Sequence, residues 1–272
     1  MDKEDLAMIN WIALSGKIEV EEDSVKHIPL ETADSLRLKT PPFTFARSNV
    51  QFESGTIKFE ATLAEPTACC QLLLNHGLPS ELYVGLNVLG ASYGIARRVD
   101  AKYEPLRGCG YDDRPVIKKP ISLEVKVSGS VIELFVNEVK VCDAAENIFN
   151  SQIAFFFQGN EEILVKNLRA ESQNPKAFVV MQYTDEYNSL YNEVIEPTCK
   201  EFGFEVVRAD DIYSSGQIIE DIRRSIREAS VIIADITPNN ANVFYEIGYA
   251  HGVGKPTIFL SDRKRDKLPF DI

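Results

Sequence analysis

Thr56-Ile57-Lys58-Phe59-Glu60-Ala61-Thr62-Leu63 alternates strictly: Ile57, Phe59, Ala61 and Leu63 fall on one side of an extended chain, and Thr56, Lys58, Glu60 and Thr62 on the other. A period of two marks a strand with one face buried. Ile121, Leu123, Val125 and Val127 alternate in the same way against Ser122, Glu124, Lys126 and Ser128. Ser128-Gly129-Ser130 then turns the chain into Val131–Val136, and Asn137-Glu138 turns it again into Val139-Lys140-Val141. Working outward, the pattern predicts further strands at 17–21, 24–30, 68–75, 80–88, 92–99, 152–157 and 161–171, with no useful helical period between residues 15 and 171. Many short strands at regular spacing predict an all-β sandwich or jelly roll.

The period changes after Ser172-Gln173-Asn174-Pro175-Lys176, a short polar stretch with a proline. Ala177-Phe178-Val179-Val180-Met181 is continuously apolar, as a strand buried on both faces requires. An amphipathic helix is predicted over 185–202, with Leu190, Val194 and Ile195 inward, Pro197 disturbing its later turns and Gly203 ending it. A strand at 204–208, a helix at 216–229 carrying Ile218, Ile219, Ile222 and Ile226, a strand at 231–235, a helix at 241–252 and a strand at 257–260 follow. The reading is therefore two domains, a β-sandwich over 1–173 and, over 174–272, an α/β flavodoxin-like, doubly wound parallel sheet that stops one strand short. Ligands of such sheets bind beyond the carboxyl ends of the strands. Here those ends carry Gln182-Tyr183-Thr184 and Asp235-Ile236-Thr237, and the following helix would offer its N-terminal N–H groups to an anion.

Composition narrows the partners. A net charge of −12 would repel a nucleic-acid backbone or an anionic membrane. Five irregularly spaced cysteines and three histidines give no metal-ligand spacing, so no metal is expected. The acidic start Met1-Asp2-Lys3-Glu4-Asp5 is unlike a secretory leader, no apolar run approaches a membrane span, and a cytoplasmic protein is expected.

Two resemblances add to this. The Gly55–Glu60 strand, the V-x-G-x-x-I-x-L-F-V-N hairpin at 127–137 and the strand Gln152-Ile153-Ala154-Phe155-Phe156 resemble the concanavalin-like (laminin-G or glucanase-like) sandwiches. Glucanases of that kind carry an E-x-D-x-x-E-like run, which is absent here, so the resemblance implies a binding or sensing module whose ligand is not legible. The run Asp235-x-Thr237-x-x-Asn240-x-Asn242-Val243-x-x-Glu246-x-Gly248-x-Ala250 resembles the nucleoside 2-deoxyribosyltransferase-like proteins and the related TIR-like nucleotide-hydrolysing domains. That resemblance implies that Glu246 faces the anomeric carbon of a ribosyl group, where a carboxylate serves as nucleophile or opposing charge.

In the same light Asp235 holds a ribose hydroxyl or the base, or else caps a turn; Asn242 orients Glu246, or else forms an Asx turn. Gln182, Tyr183 and Thr237 contribute to the walls. Arg208 anchors a phosphate or pairs with Asp210 or Asp211, and His251 reads as a helix C-terminal cation. The implied function is cleavage or transfer at the N-glycosidic bond of a nucleotide, with NAD as a possible substrate and no cofactor. It would suit an NAD-hydrolysing effector of bacterial anti-phage defence with the sandwich as sensor. The alternatives are a non-catalytic nucleotide-binding signalling module, or a carbohydrate-binding protein acting through the sandwich. The open sheet edge points to a homo-oligomer.

Overall fold

The computed structural model describes residues 9–30, 40–209 and 218–263. The chain divides into two compact units, one of residues 1–127 with 132–173, the other of residues 128–131 with 174–272.

The first unit is a sandwich of two seven-stranded antiparallel sheets. The first sheet runs Trp11–Ser15 (β1), Phe43–Phe52 (β4), Ser151–Gln158 (β13), Cys69–Leu74 (β6), Ser80–Val88 (β7), Ala91–Val99 (β8) and Lys102–Cys109 (β9). The second runs Val139–Ala145 (β12), Val131–Val136 (β11), Ile121–Ser128 (β10), Gly55–Leu63 (β5), Ile163–Ser172 (β14), Ser24–Ile28 (β3) and Lys17–Glu21 (β2). The alternation in the sequence sets the register. Ile57 faces Val125, Phe59 faces Leu123 and Ala61 faces Ile121 across β5 and β10, and all six are buried. Against them pack Leu72, Leu74, Leu82, Val84, Leu86, Ile95, Phe155 and Phe157 of the first sheet. Three strands have no counterpart in the sequence reading: β1, β4 and β9.

The second unit has four parallel strands in the order Glu205–Arg208 (β16), Lys176–Val180 (β15), Val231–Asp235 (β17), Thr257–Leu260 (β18). On one face lies a helix in three parts: Asp185–Leu190 (α1), a π turn at Tyr191–Ile195, and Glu196–Glu201 (α2), with Pro197 in the first turn of the last part. Tyr191, Ile195 and Cys199 seat it on Ala177, Val179, Met181 and Ile233. Val194, expected inward, is exposed, because the wider π turn places Tyr191 and Ile195 on the sheet side. Gly203 follows the helix with φ +80°, the conformation a glycine C′ position supplies. On the other face lie Ile218–Glu228 (α3) and Ala241–Gly252 (α4), which bury Ile226, Val243, Ile247 and Ala250 against Phe178, Val180, Ile232 and Ala234. Ile218 and Ile219 are exposed, against expectation. Lys255 closes the end of α3: its buried Nζ donates to the carbonyls of Arg227 and Ala229 at 2.6 and 2.5 Å, and burial pulls its pKa down to about 8.

The expected flavodoxin-like, doubly wound domain is corrected by this architecture. The protein is predominantly β, with fourteen of the eighteen described strands in the antiparallel sandwich, and the second unit adds only a small four-stranded sheet and three helical stretches. The chain end, where a further strand was judged missing, lies outside the described residues, as do positions 216–217 and Asp210 and Asp211. No described helix is long and apolar enough to cross a membrane.

Asn240 is the N-cap of α4, its side chain accepting from the backbone N–H of Asn242 and Val243. Replacing Asn240 with alanine is expected to lower the stability of the second unit by about 1 kcal/mol, read as an earlier denaturant midpoint. An unchanged midpoint would show that water replaces the cap at no cost.

Candidate functional site

The face of the first sheet turned away from the main core is not a polar, solvated surface. Leu73, Tyr83, Val88, Ala96 and Ala154 form a second apolar cluster there, with Phe45 and Phe156 half-buried over it. The register explains the grouping: Leu73 pairs with Ala154 on β13 and with Tyr83 on β7, and Tyr83 pairs with Ala96 on β8. Rings continue the row. Phe43 lies 6.0 Å from Phe45, Phe45 lies 5.1 Å from Phe156, Phe156 lies 5.9 Å from Tyr83, and Tyr83 lies 5.3 Å from Tyr103 on β9. Tyr83 is buried, the phenylalanines are partly exposed, and Tyr103 is 46% exposed. The row runs over the six adjacent strands from β4 to the edge strand β9.

Beside the rings sits a polar cluster built on Glu81. Its carboxylate accepts from His76 Nδ1 at 2.9 Å, from the Gly77 N–H at 3.0 Å, from Arg98 Nη1 at 2.9 Å and from the Tyr83 hydroxyl at 3.3 Å. Burial alone would raise the pKa of Glu81, but the bonds from His76, Gly77 and Arg98 outweigh it and hold the carboxyl down at about 2. His76 is also stacked on Phe45, centroids 6.0 Å apart and planes within 8°, and Arg98 lies over the Tyr103 ring at 5.7 Å. Arg47 reaches in from β4: a methyl group placed on Gly77 would lie 3.1 Å from Arg47 Nη2. Among the described residues His76 Nε2, Ser80 Oγ, Arg47 Nε and Arg98 Nε are buried without a hydrogen-bond partner. Buried polar atoms are ordinarily paired, so four orphans in one neighbourhood need an explanation. None of these residues was singled out from the sequence, although His76 and Glu81 are close enough along the chain to have been noticed.

The site residues expected from the sequence lie in the second unit. A cleft of about 510 Å³ is lined by Tyr183, Asn240, Asn242, Tyr245 and Glu246 together with Met181, Ala209, Val243 and the isoleucines 218, 219 and 222. Tyr183, Asn242 and Glu246 are thus brought together. Gln182 follows β15 and does not line the cleft. Arg208 donates to Asn188 Oδ1 at 2.9 Å and lies over the rings of Tyr191 and Tyr183, at 4.4 and 5.4 Å. Asp235 accepts from the N–H and hydroxyl of Thr237 at 2.7 and 2.5 Å, the turn-capping arrangement, while its Oδ2 is buried without a partner. Thr237 in turn accepts from the Asp262 N–H.

Two electrostatic expectations are reversed. The N–H groups at the start of α4 are occupied by Asn240 and do not await an anion. Glu246, expected as a nucleophilic or opposing carboxylate, is 7% exposed, and burial pushes its pKa up to about 7. The thiols offer no substitute nucleophile. Burial pushes Cys69 to about 11 and Cys142 to about 12, and raises Cys70, Cys109 and Cys199 as well.

No family model matches the chain, and no curated protein does. Among solved structures it is similar to the carbohydrate-binding module CBM66 from Bacillus subtilis, at 11% identity and a TM-score of 0.48 over 60% of this chain and 95% of that one. It is also similar to a Bacillus licheniformis β-glucanase (9% identity, TM-score 0.40, 61% and 92% covered) and to a Bacillus subtilis protein of unknown function with a galectin-like fold (10%, 0.40, 61% and 90%). The β-sandwich reading of the N-terminal residues stands. The expected nucleotide N-glycosidase or deoxyribosyltransferase-like enzyme, NAD hydrolysis included, is corrected by the site itself: Glu246 is buried and its pKa pushed up, so it is not the fixed carboxylate that chemistry requires.

Proposed function

We propose that this protein binds carbohydrate through the ring-lined face of its first sheet. The observation that carries the reading is the continuous row Phe43, Phe45, Phe156, Tyr83 and Tyr103 lying beside the Glu81 cluster. A sugar has apolar C–H faces and a rim of hydroxyls that donate and accept. Ring faces complement the first, and fixed polar side chains the second. Glu81 holds His76 and Arg98 in place, and the unpartnered His76 Nε2 and Arg98 Nε leave hydrogen-bonding atoms for hydroxyls once the side chains adjust to a ligand. The row's length suits an extended oligosaccharide rather than a single ring.

Affinity electrophoresis of the full chain through gels cast with soluble polysaccharides tests this. Retardation by at least one polysaccharide is expected, and Tyr103→Ala is expected to weaken it about fivefold, since an exposed ring contact contributes roughly 1 kcal/mol. Mobility unaffected by every polysaccharide in a panel of neutral and acidic chains would sink the reading.

A second reading concerns the other unit: the cleft at Glu246 holds a small polar molecule without turning it over. It is favoured by the position of Glu246, Asn242 and Tyr183 on one cleft of about 510 Å³, within the range of small-ligand sites.

A further inference from the structure

The geometry points to an acidic sugar, a uronic-acid residue carrying a planar carboxylate, as the unit recognised at the Arg47–His76–Arg98 end of this face. The inference rests on the carbohydrate reading above and makes it specific. Three nitrogenous side chains meet there around a single hydrogen-bonded carboxylate, Glu81, whose oxygens are already engaged by four donors. Arg98 is compensated by Glu81 at 2.9 Å. Arg47 is compensated by nothing: among the described residues it makes no ion pair, and its Nε is buried without a partner.

A half-buried guanidinium without an anion is out of keeping with a chain of net charge −12, which has carboxylates in excess to supply one. The arrangement makes sense when the missing anion arrives with the ligand. A guanidinium presents paired N–H groups in a plane, which match the two oxygens of a carboxylate better than they match one hydroxyl. The side chain of His76 is only 8% exposed, and its unpartnered Nε2 gives the same locality a second fixed hydrogen-bonding atom. Phe45, stacked on His76, offers a ring on which the sugar's apolar face can rest while its carboxylate meets Arg47. A neutral sugar would leave the Arg47 charge uncompensated and desolvated, which is unfavourable.

The test is calorimetric titration of the full chain with three probes of similar length: an oligogalacturonate, the neutral cellohexaose, and a sulfated heparin-derived hexasaccharide. The oligogalacturonate is expected to bind at least tenfold more tightly than cellohexaose. Arg47→Gln is expected to cut that complex about tenfold and the cellohexaose complex less than threefold. Should Arg47→Gln not fold, the wild-type salt dependence decides instead: raising sodium chloride from 50 to 500 mM is expected to weaken the uronate complex several-fold more than the neutral one. Equal or tighter binding of cellohexaose overturns the acidic-sugar inference and leaves carbohydrate binding standing. Preference for the heparin fragment over the oligogalacturonate also overturns it, because a generic polyanion surface would then explain the cations. Binding of none of the three by a folded protein overturns this inference, and sends the broader reading to the polysaccharide panel.

Discussion

Glu81→Ala is expected to lower the stability of the sandwich by about 3 kcal/mol and its melting temperature by roughly 10 °C. The side chain is 9% exposed and gathers four donors, from His76, Gly77, Tyr83 and Arg98. Its removal leaves the buried donors of His76 and Tyr83 beside a void, and stranded donors cost more than the bonds were worth. The pH dependence has a definite sign. The native pKa of Glu81 lies near 2, below its ordinary value of 4.5, so its contribution is fully present above pH 4.5 and is lost as pH falls towards 2. Thermal melts of wild type and variant should therefore converge in acid and differ most at neutral pH. A difference below about 0.5 kcal/mol at pH 7 would show that the cluster is held by the surrounding sheet and not by the carboxylate.

The second large effect is expected from Glu246→Gln, with the opposite sign in pH. Burial raises the native pKa of Glu246 to about 7 from 4.5, so the folded state prefers its proton. The stabilising preference is fully present below pH 4.5, declines between pH 4.5 and 7, and is gone above 7, about 3 kcal/mol in all. Glutamine is neutral and of nearly the same shape, so the variant should lose this decline and be the more stable protein at pH 8. Denaturant melts of both proteins at pH 5, 6, 7 and 8 measure it. Parallel curves for wild type and variant would place the Glu246 carboxylate in contact with water and remove the cleft's claim to a neutral acid.

What could be read from the sequence follows the physics of periodicity. β5, β10 and β11 bury one apolar face against the core, so their alternation is clean and both their position and their inward residues were legible. β4 hid because its pattern is inverted: Phe43 and Phe45 face away from the core, while Thr44 faces inward to bond His27 at 2.8 Å. β9 hid because it is an edge strand that carries Pro105 and a run of charge, both tolerated only where one side lacks a partner. The ring-lined face was out of reach for a different reason. Its residues come from β4, β6, β7, β8, β9 and β13 and the turn at His76, so no stretch of sequence holds more than a few of them. The second unit's motif was legible as a string, and the cleft does gather Tyr183, Asn242 and Glu246. The string did not reveal that Asn240 would occupy the N–H groups of α4, or that burial would raise the pKa of the glutamate.

The π turn at Tyr191–Ile195 has a consequence for how this helix tolerates insertion and deletion. A π turn holds about one residue more than an α turn spanning the same rise. Removing a single residue from it would let α1 and α2 fuse into one regular helix, a locally favourable outcome. Were the turn instead to tighten to α geometry with that residue kept, every side chain beyond it would be rotated by about 100° about the helix axis. Cys199, now seated on the sheet beside Ala177 and Val179, would swing off it, and the exposed Phe202 would change its bearing. The extra residue therefore acts as a phase shifter. It lets a helix whose two halves carry apolar stripes out of step present both of them to the same flat surface.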